Sequence, residues 1–409
     1  MSKPSYATYV LQRLTGFGGS SNSFPFADLK EFPRAAARVT GDPGRKYRKT
    51  PGCNAPIAVS DFDAAKRDMD RLGAAARDAG ATQMFTAAAS PGVISFFFKN
   101  EYYPSHEAYV FAIADAMRHE YEAIAASGAY VQLDCPDLAM GRHVHYQDAS
   151  LADFRKVFQI HIEALNHAVR NIPPERLRMH MCWGNYPGPH HCDVPLADVI
   201  DLMWKAKPHA YLIEAANPRH AHEWKIFEEV KLPDGKVLVP GVIECQSNYI
   251  EHPEVVAQRI DRYANLCGRE NIVAGVDCGF SIHVGMGGVD PTSTRRHLRQ
   301  AQGDGGRRPA CIKEILAEGG LEPDTYSATS RLTCRPRMIA ESASRMSSAF
   351  ENRRIGRDRP VMGAERLKRS GKAWRSQPRQ DAILVCSGNA ATADHIPRLG
   401  LPRFFGSRS

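Results

Sequence analysis

The amino-acid sequence predicts an α/β protein of the TIM (β/α)8 barrel class. From about residue 56 onward, short apolar runs alternate with stretches whose apolar residues recur at helical spacing. This alternation is typical of βα units on a parallel sheet. No glycine-rich GxGxxG motif opens a helical stretch, which disfavours an open dinucleotide-binding sheet. A chain of 409 residues is long enough for a barrel with extensions at both ends.

Six apolar runs are predicted strands. The first lies within residues 82–98, and the others are AYVQLDCPD, RLRMHMCWGN, AYLIEAANPR, KVLVPGVIECQS and NIVAGVDCGF. Helices are predicted over residues 61–79, 106–126, 151–170, 196–205 and 253–267. The last five runs all end in polar residues. Because the carboxyl ends of barrel strands gather at one face, we expect these side chains to form the functional site.

The two ends of the chain differ from the predicted barrel of residues 56–291. Residues 1–55 are rich in turn formers and charge, and we interpret them as an extension with a partial first βα region. Residues 292–409 are Arg- and Ser-rich with little periodicity, which is typical of a disordered or non-native, frame-shift-like tail. A basic arm that binds nucleic acid is the alternative. We therefore predict a barrel that is incomplete at its N-terminus and carries an atypical C-terminal tail.

Charge and cysteine content exclude several classes of protein. The formal net charge of +8 comes from the basic tail, so nucleic acid is not an expected partner of the barrel. The 10 cysteines lack regular spacing, and no export signal precedes them, which predicts reduced thiols or metal ligation rather than a disulfide scaffold. No segment is apolar enough for a membrane span, so we expect a cytoplasmic protein that does not bind membranes.

A candidate metal site follows from RMHMCWGN. His180 and Cys182 are two residues apart, and a strand places such side chains on one face. Imidazole and thiolate both suit Zn2+, and a catalytic zinc site has about three protein ligands. Cys278 and Glu214, each at another strand end, are the candidate third and fourth ligands. The alternative is that the pair are packed core residues.

A histidine-rich segment near the predicted site is a candidate for a second metal site. The GPHHC sequence contains His190, His191 and Cys192, but Gly188 and Pro189 mark a turn in which adjacent side chains point in different directions. We therefore interpret it as a loop rather than as a second metal site. His220 is predicted to start a helix beneath the mouth of the barrel.

Several segments resemble the C-terminal catalytic barrel of cobalamin-independent methionine synthases and their short single-barrel relatives. They are HMCWGN, IEAANPRHAHEW, LPDGKVLVPGVIECQSNYIEHPEVVAQRI and GVDCGF, in this order, and the likeness covers about residues 55–290. It implies a zinc-dependent methyltransferase. The implied zinc ligands are His180, Cys182, Glu214 and Cys278.

The resemblance also implies a mechanism and further residues. A small, homocysteine-like thiol binds zinc, its pKa falls, and the thiolate accepts a methyl group from a methylated folate. Asp134 matches an aspartate that holds the substrate amino group, with a cap or ion pair as its alternative role. Ser90 and Glu251 match substrate-binding positions, although Ser90 also fits a turn before proline.

One position departs from the family pattern. Gln246 stands where methionine synthases carry a histidine that helps protonate the departing folate, and glutamine cannot act as a general acid. Either another group such as Glu244 or His283 supplies the proton, or the electrophile is not a methylated folate. The alternative within the superfamily is an epoxide that is opened by the thiol of coenzyme M. Two other hypotheses are a catalytically impaired barrel with a binding role and a metal-free decarboxylase of the porphyrin-processing barrels.

Overall fold

A computed structural model of the protein describes residues 8–19, 26–40, 51–280, 289–290 and 293–294. Eight strands occur among them: β1 (Phe17–Gly18), β2 (Gly52–Cys53), β3 (Phe85–Ala89), β4 (Tyr130–Asp134), β5 (Leu177–Met181), β6 (Ala210–Ile213), β7 (Val237–Ile243) and β8 (Gly275–Val276). The α-helices are α1 (Pro33–Thr40), α2 (Ala64–Asp78), α3 (Pro91–Phe97), α4 (His106–Ala126), α5 (Gly141–Val144), α6 (Leu151–Ala168), α7 (Ile200–Met203) and α8 (Pro253–Cys267).

Strands β3 to β8 form one parallel sheet in which spatial order equals chain order. An open doubly wound sheet reverses its strand order at a switch point, and this sheet has no such reversal. It curls in one direction as a half-barrel, which confirms the predicted fold class. Strands β1 and β2 pair separately as an antiparallel ribbon.

Alternation along the strands decides which side chains reach the site. On β5, Met179 and Met181 are fully buried against the helical layer, so His180 points to the opposite, concave face. On β4, Leu133 is fully buried in the same way, and Asp134 points to the concave face. The sheet register pairs Asp134 with His180.

Long helices α4 and α6 cover the outer side of the sheet and match the predicted ranges closely. The Ser105 hydroxyl accepts a hydrogen bond from Ala108 N at 3.1 Å at the start of α4. The Ser150 hydroxyl does the same for Asp153 N at the start of α6. Tyr109, Phe154 and other apolar side chains of these helices complete the main core.

Two predicted elements differ from the structure. The helix expected over residues 196–205 is a 3-10 turn, Leu196–Asp198, followed by the single turn of α7. Pro208 disfavours helical backbone at Lys207, which agrees with an end before that residue, but the flanking prolines do not explain why the segment is divided into two short turns. The expected strand within residues 82–98 is divided into β3 and α3, because Ser90 and Pro91 begin a helix there.

Some predictions fall outside the described residues. These are the tail of residues 292–409, apart from residues 293–294, the general-acid candidate His283, and parts of the N-terminal extension. They remain predictions. Within the described part of the chain, no helix is both long and apolar enough to cross a membrane.

Candidate metal centre

Three predicted ligands converge at the carboxyl ends of β5 and β8. One nitrogen of His180 and the thiol sulfurs of Cys182 and Cys278 all lie within 4.8 Å of one another. His180 is in β5, Cys182 follows it directly, and Cys278 lies two residues after β8. The curl of the sheet therefore joins residues that are almost 100 positions apart in the sequence.

The orientation of the His180 ring identifies the nitrogen that faces the thiols. Its Nε2 lies 3.3 Å from Cys278 Sγ, and its Nδ1 lies 3.4 Å from Asp134 Oδ1. A carboxylate at the far nitrogen fixes the ring and the tautomer of a metal-binding histidine. The structure thus places Asp134 beside a candidate ligand, which adds a positioning role to the substrate contact that the sequence predicts.

The two thiols of the cluster are not equivalent. A hydrogen bond from Cys278 lowers the pKa of Cys182 below its ordinary value, and the nearby His180 charge acts in the same direction against the effect of burial. Burial raises the pKa of Cys278 well above its ordinary value, and the Cys182 thiolate raises it further. A thiolate is therefore favoured at Cys182 while Cys278 donates to it.

The fourth predicted ligand, Glu214, lies nearby but outside this group of three. Its Oε1 accepts a hydrogen bond from Trp183 N at 2.8 Å, and its Oε2 accepts one from Asn217 Nδ2 at 2.6 Å. Burial raises the pKa of Glu214 to about 8, and the Cys182 charge contributes next. Both carboxylate oxygens are held by the protein, so Glu214 would have to shift to bind a metal ion directly.

Asp277 organises the loop after β6, and the sequence analysis did not identify it. Its carboxylate accepts hydrogen bonds from the backbone N–H groups of Ala215, Ala216 and Asn217, at 2.7, 2.9 and 2.8 Å. The residue thus connects the Cys278 strand end to the Glu214 strand end. Its position directly before Cys278 in VDCGF was a signal that could have identified it.

The donor set fits a zinc ion. One imidazole nitrogen and two thiol sulfurs are ligands that Zn2+ prefers, and three protein ligands leave one position for a thiol substrate. Calcium and magnesium require oxygen ligands, so this cluster does not suit them. Within the described residues, no other convergent group of His, Cys, Asp or Glu side chains was found.

Ser90 has its hydroxyl bonded within the protein. It accepts from Val93 N at 3.0 Å as the cap of α3 and donates to Asp137 Oδ1 at 3.0 Å. The turn-and-cap interpretation of this residue therefore describes its geometry. A substrate contact through Ser90 remains a prediction.

The loop after β7 contains the remaining candidates. Glu244 accepts hydrogen bonds from Ser247 N at 3.1 Å and Ser247 Oγ at 2.6 Å. Glu251 accepts from Glu244 N at 2.9 Å and forms an ion pair of 2.6 Å with Arg259. The Gln246 side chain donates to the carbonyl of Asn185. The structure thus brings Glu244, Gln246 and Glu251 together, beside the loop after β5.

The fold and the cluster define a barrel-type α/β protein with a candidate metal centre at the carboxyl ends of its strands. No protein-family model matches the chain. Curated relatives include methionine synthases from Thermococcus kodakarensis and Pyrococcus abyssi, 26% and 27% identical over 193 residues that make up 47% of this chain and 49% of each relative. A methionine synthase from Saccharolobus islandicus is 27% identical over 196 residues, 47% of this chain and 50% of that one.

A solved structure has a similar fold. It is a B12-independent methionine synthase from Shewanella sp. W3-18-1 in complex with selenomethionine, with a TM-score of 0.54, 16% identity, and coverage of 77% of this chain and 80% of that chain. The chain spans about half the length of the curated relatives it matches. The comparisons confirm the resemblance to cobalamin-independent methionine synthases that the sequence motifs predict.

Proposed function

We propose that this chain is a zinc-dependent methyltransferase that alkylates a small, homocysteine-like thiol. The observation that carries the proposal is the convergence of His180, Cys182 and Cys278 at the strand ends. A zinc ion bound there would lower the pKa of a coordinated thiol and keep it as a thiolate at neutral pH. The names of the curated relatives support methylation as the reaction.

In this proposal the protein groups have separate tasks. Asp134 orients the His180 ring through Nδ1, which leaves Nε2 directed at the metal position. Glu214 is the proposed fourth ligand: its carboxylate would shift from Trp183 and Asn217 to the metal, and it would return to them when the substrate thiol takes its place. Asp277 holds the backbone of the Glu214 loop, so that this shift is confined to the side chain.

The proposed substrates are a thiol and a methylated folate. Ser90, Asp134 and Glu251 are the proposed substrate-binding residues, from their match to the family motifs. The leaving nitrogen of a folate needs a proton, and Gln246 cannot supply one. Glu244 is the proposed general acid among the described residues, since it lies two residues before Gln246 in the same loop.

Metal content tests the first part of the proposal. We expect about one zinc per chain in protein purified without chelators, and less than about 0.2 after His180→Ala or Cys278→Ala. Cys192→Ala is the matched control, because this cysteine lies in the loop after β5 but outside the cluster. Zinc below about 0.2 per chain in the unsubstituted protein would overturn the proposal.

An alkylation assay tests the second part. Homocysteine with methylated folates is compared with coenzyme M and an epoxide, with zinc-loaded protein in both reactions. Gln246 is the observation that favours the epoxide alternative, because it removes the acid expected for folate. Turnover of coenzyme M with the epoxide alone would show that the reaction is epoxide opening by a thiol rather than methyl transfer. Turnover of neither would support a barrel with a binding role.

A further inference from the structure

A buried network of histidines lies beside the candidate metal centre, and the proposed chemistry does not use it. Asp193 is at its centre. His190 Nδ1 lies 2.8 Å from Asp193 Oδ2, and His220 Nε2 lies 3.0 Å from the same oxygen. His143 Nδ1 lies 2.9 Å from Asp193 Oδ1, within ion-pair distance but without a hydrogen bond between the two atoms. We call these four residues the Asp193 network.

The partners of two histidines determine their protonation. The second nitrogen of His220 lies 2.9 Å from Glu223 Oε2, and that of His190 lies 2.8 Å from the carbonyl oxygen of Tyr186. Ionised carboxylate and carbonyl oxygens only accept hydrogen bonds, so these partners favour the doubly protonated form of both rings. Burial alone would raise the pKa of Asp193, but the three neighbouring histidines hold it well below its ordinary value.

The network is not a second metal site. Both nitrogens of His190 and both of His220 face an oxygen of the protein, and the only convergent set of ligand atoms among the described residues is the cluster of His180, Cys182 and Cys278. His191, next to His190, lies elsewhere, with Nε2 3.5 Å from Glu31 Oε1. The interpretation of GPHHC as a loop with divergent side chains agrees with this geometry.

The members of the network come from three successive βα loops. His143 lies in α5, which follows β4, and β4 ends at Asp134. His190 and Asp193 lie in the loop after β5. His220 lies in the loop after β6. Each of these strands carries a residue at or beside the candidate metal centre, namely Asp134, His180 or Glu214, so a single carboxylate contacts residues of three loops around it.

A direct path leads from the network to the proposed ligands. The His220 ring stacks on the Trp183 ring with centroids 3.8 Å apart and an interplanar angle of 19°. Trp183 follows Cys182 in the chain, and its backbone N–H donates to Glu214 Oε1. A displaced His220 would therefore move the segment that holds Cys182 and Glu214 in place.

We propose that Asp193 is a positioning residue that fixes the three site-bearing loops through His143, His190 and His220, and so sets the geometry and affinity of the metal centre. This inference rests on the proposed function, since it requires that the centre binds a metal ion. The groups act on the metal only through Trp183, Glu214 and the loop backbones. Removal of groups that hydrogen-bond directly to metal ligands typically lowers metal affinity about 10–100-fold, and the network holds one such group, the Trp183 backbone, in place.

Cobalt titration of the metal-free chain tests the inference. Thiolate-to-cobalt charge-transfer absorption reports the cysteine ligands, and the visible d–d bands report the geometry. In Asp193→Asn we expect a cobalt dissociation constant at least about tenfold higher, with shifted d–d bands. Glu120→Gln is the matched control: it alters an equally buried carboxylate, which accepts from Tyr9 Oη at 2.7 Å on α4, away from the site. The control should lose stability but keep the parental cobalt spectrum.

A second pair of variants covers the case in which Asp193→Asn does not fold. Glutamine places an amide nitrogen near the position of His220 Nε2, whereas leucine has no donor. We expect His220→Leu to weaken cobalt binding about tenfold or more and His220→Gln to stay within about threefold of the parent. If both Asp193→Asn and His220→Leu bind cobalt with the affinity and the d–d bands of the parent, the inference is overturned while the proposed function stands. Failure of the unsubstituted protein to bind cobalt would overturn the proposed function and the inference with it.

Discussion

The candidate metal centre and the Asp193 network use similar side chains in opposite ways. In the centre, His180, Cys182 and Cys278 direct their lone pairs towards a common region. In the network, each nitrogen of His190 and His220 already faces an oxygen within the protein. Convergent imidazole and thiol groups are ligands that suit a metal ion, whereas the nitrogens of His190 and His220 are already paired within the protein. We therefore interpret the cluster as the candidate binding site and the network as part of the structure that holds it.

The largest expected effect comes from removal of a convergent sulfur. Cys182→Ser leaves one thiolate and one imidazole, and we expect zinc or cobalt affinity to fall more than about 100-fold, beyond the range for indirect groups. The protein should stay folded, because a serine fits the space. Competition with a chromophoric chelator measures the affinity. Cys192→Ser, outside the cluster, should retain parental binding; an equal loss in both variants would contradict the distinction.

The paired histidines of the network should show their effect in the pH dependence of stability. Burial lowers the pKa of His220, but hydrogen bonds to Asp193 and Glu223 raise it overall, from 6.5 to about 9. The stabilisation is fully present below pH 6.5 and is lost as pH rises through about 9. Denaturant unfolding across this range should show the advantage of the parent over His220→Gln shrinking by about 3 kcal/mol.

A second histidine pair is the control, because we expect the opposite pH dependence of the unfolding free energy from it. His106 Nε2 lies 2.8 Å from His161 Nε2, and burial, followed by the charge of His161, lowers the pKa of His106 to about 4. Because the folded state disfavours the protonated form of His106, the unfolding free energy falls as pH decreases from 6.5 towards 4. The variant His106→Gln should therefore lose less unfolding free energy at acid pH than the parent. Its stability relative to the parent should not change at alkaline pH. An alkaline effect of His106→Gln would contradict the assignment.

The next expected effect concerns the contact between β7 and the Asp277 carboxylate. A methyl group at Gly241 would overlap Asp277, both its carboxylate and its backbone. We expect Gly241→Ala to cost about 1–3 kcal/mol of unfolding free energy by overpacking and to weaken cobalt binding through the Glu214 loop. Gly73→Ala on α2 is the control, where a methyl group meets only the flexible Arg77 side chain and helix propensity improves. Gly73→Ala should therefore be neutral or stabilising.

The smallest expected effect lies at the paired hydroxyl of Ser90. Loss of the α3 cap and of the Asp137 hydrogen bond should lower the unfolding free energy of Ser90→Ala by about 1–2 kcal/mol. Ser105→Ala removes the cap of α4 alone and should cost about 1 kcal/mol or less. Denaturant midpoints of both variants give the comparison. A Ser90→Ala loss no larger than that of Ser105→Ala would show that the Asp137 contact contributes nothing.

Much of the architecture was predictable because local periodicity determines it. The predicted range 106–126 coincides with α4, and the predicted 253–267 coincides with α8. All six predicted apolar runs contain a strand of the parallel sheet. The segment 196–205 was predicted wrongly, because its apolar spacing suits a helix while the structure forms only two short turns there.

The sequence by itself determined the order of the βα units, the residue types at the strand ends and the resemblance to methionine synthases. The period of two along β5 was enough to put His180 and Cys182 on one face. Only the tertiary structure decided which neighbours complete these groups. The curl of the sheet brings Cys278 to His180, places Glu214 against the Trp183 backbone rather than within the group of three, and gathers three loops around Asp193. Such contacts depend on distances between strand ends and on the directions of single side chains, and these are set by packing across the whole sheet rather than by local sequence.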